Sequence, residues 1–173
     1  MDTAVGKITY TQMLNRNGGI ESDLTVTRLA DTSFLAVVPA ATVVRDMAWM
    51  KRHIGDLNVV VIDVTASESV LCLMGPNARN VLAQCSPNDF SNAAHPFGTM
   101  REIEIGMGIA RAHRVTYVGE LGWEIYASAD QTAHIFEAIE SAGASHGLRL
   151  AGLHVLVEPD VPCLFFRVMY VVA

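Results

Sequence analysis

Residues 15–26 read Asn-Arg-Asn-Gly-Gly-Ile-Glu-Ser-Asp-Leu-Thr-Val and predict a tight turn that leads into a β-strand. An Asn-Gly pair between two alternating runs favours a β-hairpin, because both turn positions need a positive φ. Residues 8–14 form the predicted first strand, which carries Tyr10. On the second strand, Leu24 occupies one face and Asp23 the other. The hairpin therefore presents a carboxylate and the hydroxyls of Thr25 and Thr27 on a polar face, with Tyr10 on its first strand.

Apolar spacing extends this prediction along the rest of the chain. Further strands are predicted at residues 34–39, 58–65, 69–74, 101–105, 109–117 and 123–127, and helices at 40–53, after Gly75-Pro76 and at 129–142. Ser128 and Gln131 predict a capping box at the start of the last helix. Strands and helices without regular βαβ alternation predict an α+β fold, with mixed, largely antiparallel sheets flanked by helices.

The composition excludes several classes of protein. Hydrophobic residues make up 51% of the 173 residues and charged residues 17%, which indicates a folded domain rather than a disordered or coiled-coil chain. The net charge of −6 argues against a nucleic-acid partner, because such a partner requires a basic face. No apolar run approaches the ~20 residues of a transmembrane helix, so no membrane partner is predicted.

The cysteines and the N-terminus indicate a reducing compartment. Cys72, Cys85 and Cys163 are widely spaced, so we expect buried free thiols rather than disulfides or a metal site. The first residues lack a secretory or transit pattern. The expected location is cytoplasmic, or the mitochondrial matrix if the source is eukaryotic.

Two blocks of sequence, in this order, resemble one protein family. The first runs from Tyr10 to Val26 across the Gly-Gly turn, and the second is Tyr-Val-Gly-Glu-Leu-Gly-Trp-Glu-Ile-Tyr at residues 117–126. Together they resemble the folate-binding domain of dimethylglycine and sarcosine dehydrogenases and, more distantly, the aminomethyltransferase of the glycine cleavage system. The resemblance implies an aminomethyltransferase-like fold that is incomplete at both ends. It places a partial folate-binding domain at 1–157 and a divergent apolar tail at 158–173.

The resemblance also implies a function and a set of site residues. The domain is expected to bind tetrahydrofolate and to capture a one-carbon unit, from a small methylated amine or its iminium product, as 5,10-methylenetetrahydrofolate. Glu124 matches the carboxylate that accepts the pterin amino and ring N–H groups. Tyr10 and Tyr117 match aromatic positions that line the folate pocket. Asp23 matches the acid beside the folate amines, expected to orient folate and to assist proton removal.

The residues taken alone leave plainer roles open. Asp23 and Glu124 also fit solvent-facing strand positions, and Tyr117 also fits a core position. His113, between two arginines, fits an exposed basic strand end, although a contact with the glutamate tail of folate is the alternative. Glu120, on a glycine-flanked loop, is expected to lie on the surface.

Two departures from the family pattern bear on the choice between the dehydrogenase and aminomethyltransferase branches and on the expected flavin cofactor. After Ala151-Gly152-Leu153, Leu156 occupies the position where the aminomethyltransferase branch carries an arginine, which favours the dehydrogenase branch. The sequence has no Gly-x-Gly-x-x-Gly, so FAD is expected only in a flavin dehydrogenase partner domain.

Four functional hypotheses follow. The leading one is the tetrahydrofolate-binding domain of a dimethylglycine or sarcosine dehydrogenase-like protein. The alternatives are a glycine-cleavage-type aminomethyltransferase, a non-enzymatic folate-binding protein and a non-functional fragment. The chain is expected to act as part of an enzyme and need not be active alone.

Overall fold

The computed structural model describes residues 3–151 and the backbone of residues 166–172. The chain divides into two compact units, residues 1–66 with 165–173 and residues 67–164. The strands are β1 (Ile8–Leu14), β2 (Ile20–Ala30), β3 (Ser33–Pro39), β4 (Val60–Asp63), β5 (Glu68–Met74), β6 (Met100–Ile105), β7 (Gly108–His113), β8 (Gly122–Ser128) and β9 (Phe166–Val172), and the helices are α1 (Val43–His53), α2 (Ala78–Cys85) and α3 (Thr132–Gly143).

The first unit is an antiparallel sheet with α1 packed on one face. Its strand order is β1-β2-β3-β9-β4. Leu24, Ala36 and Val38 form a small core with Val43 of the helix. Because successive strand residues point to opposite faces, Asp23 lies on the face away from α1.

Residues 166–172 fall in the segment predicted to be a divergent tail, and their backbone forms a strand inside the first sheet. As β9 they pair antiparallel with β3 on one side and β4 on the other. Strand β9 thus has a partner along its whole length in β3 and a second partner at residues 169–172 in β4. The domain boundary at residue 157 stays a prediction, and Cys163 lies outside the described residues.

The second unit is a four-stranded antiparallel sheet with strand order β5-β8-β7-β6. Trp123 and Ile125 of β8 are fully buried in one core with Leu82 of α2 and Ile135 of α3. The helices therefore cover the face of β8 that carries its odd-numbered side chains. Alternation places Glu124 on the other face, which α2 and α3 do not cover.

Several predicted boundaries and contacts were wrong. Helix α3 begins at Thr132 after an N-cap at Gln131, and no capping box forms there. The Gln131 Oε1 atom accepts a hydrogen bond from the Ile109 N–H at 2.9 Å instead of from its own helix terminus. Strand β8 continues through Ser128, whose carbonyl accepts the Thr132 hydroxyl at 2.9 Å.

Strand β7 ends at His113, four residues earlier than predicted. The Arg114 N–H donates to the Thr99 carbonyl at 2.9 Å, and the Arg114 carbonyl accepts the Gly98 N–H at 2.8 Å. The next residue turns the chain, since the Val115 N–H bonds back to the His113 carbonyl at 2.9 Å. Cys72 was also predicted to be buried, but it is exposed because alternation directs its neighbour Leu73 into the core.

Antiparallel sheets flanked by helices confirm the predicted α+β class. Within the described part of the chain, the longest helix, α3, has 12 residues, and no helix is long and apolar enough to cross a membrane.

Candidate functional site

The turn that leads into Asp23 is organised by the side chain of Asn15. Its Oδ1 atom accepts the N–H groups of Asn17 at 3.0 Å and Gly19 at 2.9 Å, and its Nδ2 atom donates to Glu21 at 2.9 Å. Gly18 has a positive φ of 78°. A Cβ at Gly19 would lie 2.8 Å from the Asn15 amide nitrogen, so a larger residue there would displace the side chain that closes the turn.

Tyr10 and Asp23 are joined directly across the hairpin. The Tyr10 hydroxyl donates to Asp23 Oδ2 at 2.8 Å. The register sets Gln12 opposite Asp23 and Thr25 opposite Tyr10, so the pair is diagonal on one face. Both side chains are exposed, and the bond to Asp23 raises the pKa of Tyr10. The structure therefore brings two of the predicted site residues together on the helix-free face of the first sheet.

Tyr117 lies on the connection between β7 and β8 rather than on a strand. Its side chain is 59% exposed, which excludes the core position that the sequence left open. The connection is fixed at its start by Arg114 and at its end by the Leu121 carbonyl, which accepts the Gly75 N–H at 2.8 Å. Tyr117 is thus an exposed aromatic ring on an anchored loop. Glu120, three residues later, is exposed as predicted.

Glu124 is a half-buried carboxylate on β8 with a tyrosine partner. The Tyr126 hydroxyl donates to Glu124 Oε2 at 2.7 Å. Burial raises the pKa of Glu124, and the hydrogen bond from Tyr126 opposes that rise. A carboxylate of this kind differs from a solvated strand residue, because it is partly withdrawn from water and one of its oxygens is held in place.

Two further residues near Glu124, Tyr126 and His113, were not among the leading predictions for the site. Tyr126 is 2% exposed, and its ring lies 4.2 Å from the ring of His113. His113 was expected at an exposed strand end, but it is fully buried and sits opposite Glu124 in the ladder. The alternation of side chains along β8 could have predicted that Tyr126 shares a face with Glu124. The position of His113 could not be predicted from local sequence, because it depends on the pairing of β7 with β8.

An ion pair lies further along the same face. Arg111 Nη2 lies 2.6 Å from Glu68 Oε2 in a salt bridge, and both side chains are largely buried. Arg111 is opposite Tyr126 in the β7–β8 ladder, and Glu68 is opposite Ser128 in the β5–β8 ladder. The helix-free face of the second sheet therefore carries a row of paired polar groups that begins at Glu124.

On the helix-covered face, Trp123 fixes the position of β8. Its indole N–H donates to His95 Nδ1 at 3.3 Å, while His95 Nε2 lies 3.2 Å from the Thr99 carbonyl. Since an indole only donates and a carbonyl only accepts, His95 carries its proton on Nε2. The Arg114 guanidinium lies 4.8 Å from the Trp123 ring centre. These contacts hold the residue next to Glu124.

A scan against protein-family models matches the GCVT N-terminal domain over residues 1–157. The chain belongs to this family. The resemblance inferred from the two sequence blocks is thereby confirmed, and the chain is an aminomethyltransferase-like domain.

Three known proteins are similar to this GCVT N-terminal domain. It is 40% identical over 156 residues to 4-methylaminobutanoate oxidase (formaldehyde-forming) of Paenarthrobacter nicotinovorans, covering 90% of this chain and 19% of that protein. It is 34% identical over 168 residues to the mitochondrial sarcosine dehydrogenase of Mus musculus, covering 87% and 18%. The glycine cleavage aminomethyltransferase T of Bartonella henselae superposes with a TM-score of 0.62 at 26% identity, covering 82% of this chain and 37% of that one.

The chain thus spans about a fifth of the length of the two curated relatives. The superposition confirms the predicted aminomethyltransferase-like fold. Leu156, which bears on the choice between the two branches, lies outside the described residues.

Proposed function

We propose that this domain binds tetrahydrofolate and, within a longer sarcosine or dimethylglycine dehydrogenase-like protein, receives a one-carbon unit to form 5,10-methylenetetrahydrofolate. The observation that carries the proposal is Glu124, a half-buried carboxylate with one oxygen held by Tyr126. The relatives support it, since one is named as a formaldehyde-forming oxidase and another as a sarcosine dehydrogenase.

The residues present fit a pterin by their donor and acceptor chemistry. Tyr126 occupies only part of the accepting capacity of Glu124, because a carboxylate has two oxygens with about four lone-pair sites. Glu124 can therefore accept the adjacent amino and ring N–H groups of a pterin. Tyr10 and Tyr117 offer exposed aromatic surface for a flat ring.

Asp23 is proposed to accept the proton that the folate nitrogen loses. Tetrahydrofolate, when bound, supplies the nitrogen that accepts the one-carbon unit. A carboxylate beside that nitrogen can take up the proton that it loses and can stabilise a cationic carbon nearby. The Tyr10 hydroxyl holds Asp23 Oδ2 and leaves Oδ1 for such a role.

The amine is proposed to be oxidised elsewhere in the longer protein. FAD is expected in a flavin dehydrogenase partner domain, because this sequence lacks a dinucleotide-binding glycine pattern. The substrate is then a small methylated amine or its iminium product. The cytoplasmic location expected from the sequence stays a prediction, and the murine relative is named as mitochondrial.

Calorimetric titration of the 173-residue chain with tetrahydrofolate tests the proposal. Glu124→Gln removes the acceptor charge and is expected to weaken binding about 10- to 100-fold, as for a charge-assisted hydrogen bond worth roughly 1.5–3 kcal/mol. The control is Glu120→Gln, which makes the same change at an exposed position four residues away. Equal affinity in the wild type and Glu124→Gln removes Glu124 from the site.

Asp23 is tested in the same way but with a second measurement. Asp23→Asn is expected to leave tetrahydrofolate bound while it slows formaldehyde trapping in the protein with its flanking domains restored. Asp31→Asn is the matched control, since Asp31 is an exposed acid of the first unit. Unchanged trapping in Asp23→Asn contradicts the role in proton transfer.

A second candidate function is that of a glycine-cleavage aminomethyltransferase. The superposition on the Bartonella henselae enzyme favours it. Turnover that depends on an aminomethyl-carrying lipoyl protein would support this function, whereas turnover of free methylated amines by the longer protein supports the first. Folate binding without turnover in either assay would favour a non-enzymatic folate-binding protein, and absence of binding would favour a non-functional fragment.

A further inference from the structure

Tyr126 is the nearest polar neighbour of Glu124 along β8. The two residues are two positions apart, so they share the face that α2 and α3 do not cover. The Tyr126 hydroxyl lies 2.7 Å from Glu124 Oε2, while only 2% of the tyrosine is exposed. A buried phenol that reaches a carboxylate at this distance forms a short, charge-assisted hydrogen bond.

Strand β7 supplies two neighbours of Tyr126. The His113 ring lies 4.2 Å away at an interplanar angle of 34°. Arg111, opposite Tyr126 in the ladder, is itself fixed by its ion pair with Glu68 at 2.6 Å. The ring of Tyr126 therefore packs against His113, while its hydroxyl bonds to Glu124.

We propose that Tyr126 is a positioning residue of the tetrahydrofolate site: it holds the Glu124 carboxylate in one orientation and in its ionised form, so that Oε1 faces the ligand. This inference rests on the function proposed above. It adds a residue that touches Glu124 rather than the ligand.

Among the described residues that face Glu124 within the second unit, Tyr126 is the group that stabilises the ionised carboxylate. From β5, Cys72 lies directly opposite, and from β7, His113 lies directly opposite. Burial and the charge of Arg111 lower the pKa of His113, so its ring is neutral above the acid range and supplies no positive charge to Glu124. Thiols titrate above pH 8, outside the range of the experiment below. Arg111 is neutralised by Glu68.

The consequence is a pH dependence with a definite sign. Burial favours the protonated form of Glu124, and the Tyr126 hydroxyl favours the ionised form. Protonation removes acceptor capacity, so ligand affinity falls as the pH falls. Loss of the hydroxyl raises the pH at which that fall begins. If Tyr126 served only as a packed aromatic ring, its hydroxyl could be removed without moving the pH profile.

The experiment measures the Kd of tetrahydrofolate between pH 4.5 and 8 for the 173-residue chain and three variants: Tyr126→Phe, Glu124→Gln and the double variant. Tyr126→Phe is expected to weaken binding about fivefold at pH 7.5, as for one hydrogen bond. It is also expected to raise the pH midpoint by about one unit. In the Glu124→Gln background, which reports the ligand's own titration, the Tyr126→Phe change is expected to have no further effect.

Thr132→Val serves as the control, because it removes a hydroxyl-to-carbonyl bond of the same unit away from Glu124. Its Kd and pH midpoint are expected to equal those of the wild type. If Tyr126→Phe does not fold, difluorotyrosine at position 126 keeps the ring and strengthens the donor, and the midpoint is then expected to fall.

The outcomes separate the two proposals. A wild-type chain that does not bind tetrahydrofolate refutes the proposed function, and the inference fails with it. Binding that Glu124→Gln weakens, with a Tyr126→Phe profile equal to that of the wild type, refutes the inference alone. A shifted midpoint that persists in the Glu124→Gln background also refutes it, because the effect would not pass through Glu124.

Discussion

Acidification is expected to destabilise this protein through His113, and replacement of His113 by phenylalanine should remove that part of the pH dependence. His113 is fully buried on β7, with its ring 4.2 Å from the ring of Tyr126. Burial, followed by the charges of Arg111 and His95, lowers the pKa of His113 from 6.5 to about 3. The folded protein therefore keeps this ring neutral at pH values where the unfolded chain protonates it.

The sign and size of the effect follow from proton linkage. Between pH 6.5 and about 3 the unfolded state binds more protons at His113, so the free energy of unfolding falls as the pH falls. With these two pKa values, the loss between pH 7 and pH 5 is about 2 kcal/mol. Burial also lowers the pKa of His95, which adds a loss of the same sign, whereas the raised pKa of Glu124 acts in the opposite direction.

Urea unfolding followed by far-UV circular dichroism at pH 7 and pH 5 measures these losses. The fall in the free energy of unfolding between pH 7 and pH 5 is measured for the wild type and for His113→Phe. His95 and Glu124 contribute to both values, so their contributions cancel when one value is subtracted from the other. The difference is expected to be about 2 kcal/mol. Phenylalanine keeps the aromatic contact with Tyr126. His53→Phe, at an exposed histidine, is expected to lose as much stability as the wild type. Equal losses in the wild type and His113→Phe would refute the reasoning.

Two further predictions concern the cores of the two units. Asp46→Ala should lower the free energy of unfolding by about 3 kcal/mol, because its buried carboxylate accepts the hydroxyls of Ser22 and Thr42 at 2.9 and 2.6 Å, and both bonds would be lost. A loss under about 1 kcal/mol in urea unfolding contradicts this. Leu82→Ala should cost about 2–5 kcal/mol, since Leu82 is fully buried, whereas Val44→Ala at an 80% exposed position should cost under about 0.5 kcal/mol. Similar midpoints for the two alanine variants would be evidence against the assigned core.

The hairpin could be predicted from the sequence because its determinants are local. The turn needs residues that tolerate its backbone, and the alternation of Leu24 and Asp23 sets which face is buried. The structure has both features, with strands at Ile8–Leu14 and Ile20–Ala30. The side chain of Asn15, rather than the Asn-Gly pair alone, closes the turn.

The missed features depend on partners distant in the chain. An acid in an amphipathic helix is ordinarily expected at the surface, yet Asp46 of α1 is 1% exposed and accepts a hydrogen bond from Ser22 of β2. Gln131 has the spacing of a capping residue, but the Ile109 N–H captures its side chain. His113 lies between two arginines in sequence and is buried beneath Tyr126 in space. Propensity and spacing contain no information about such pairs.

The faces of the two sheets explain why the candidate acids differ in character. An ionised carboxylate among the apolar side chains beneath the helices would lose its hydration without compensation, which agrees with the positions of Asp23 and Glu124 on the helix-free faces. On such a face Asp23 is exposed, and its bond from Tyr10 competes with water, so a ligand can rearrange it at little cost. Glu124 is half-buried, and its bond from Tyr126 is sheltered, so its orientation is set before any ligand arrives. Under the proposed function, this contrast suits Glu124 to recognition, which benefits from preorganisation, and Asp23 to proton transfer, which requires an exchange of partners.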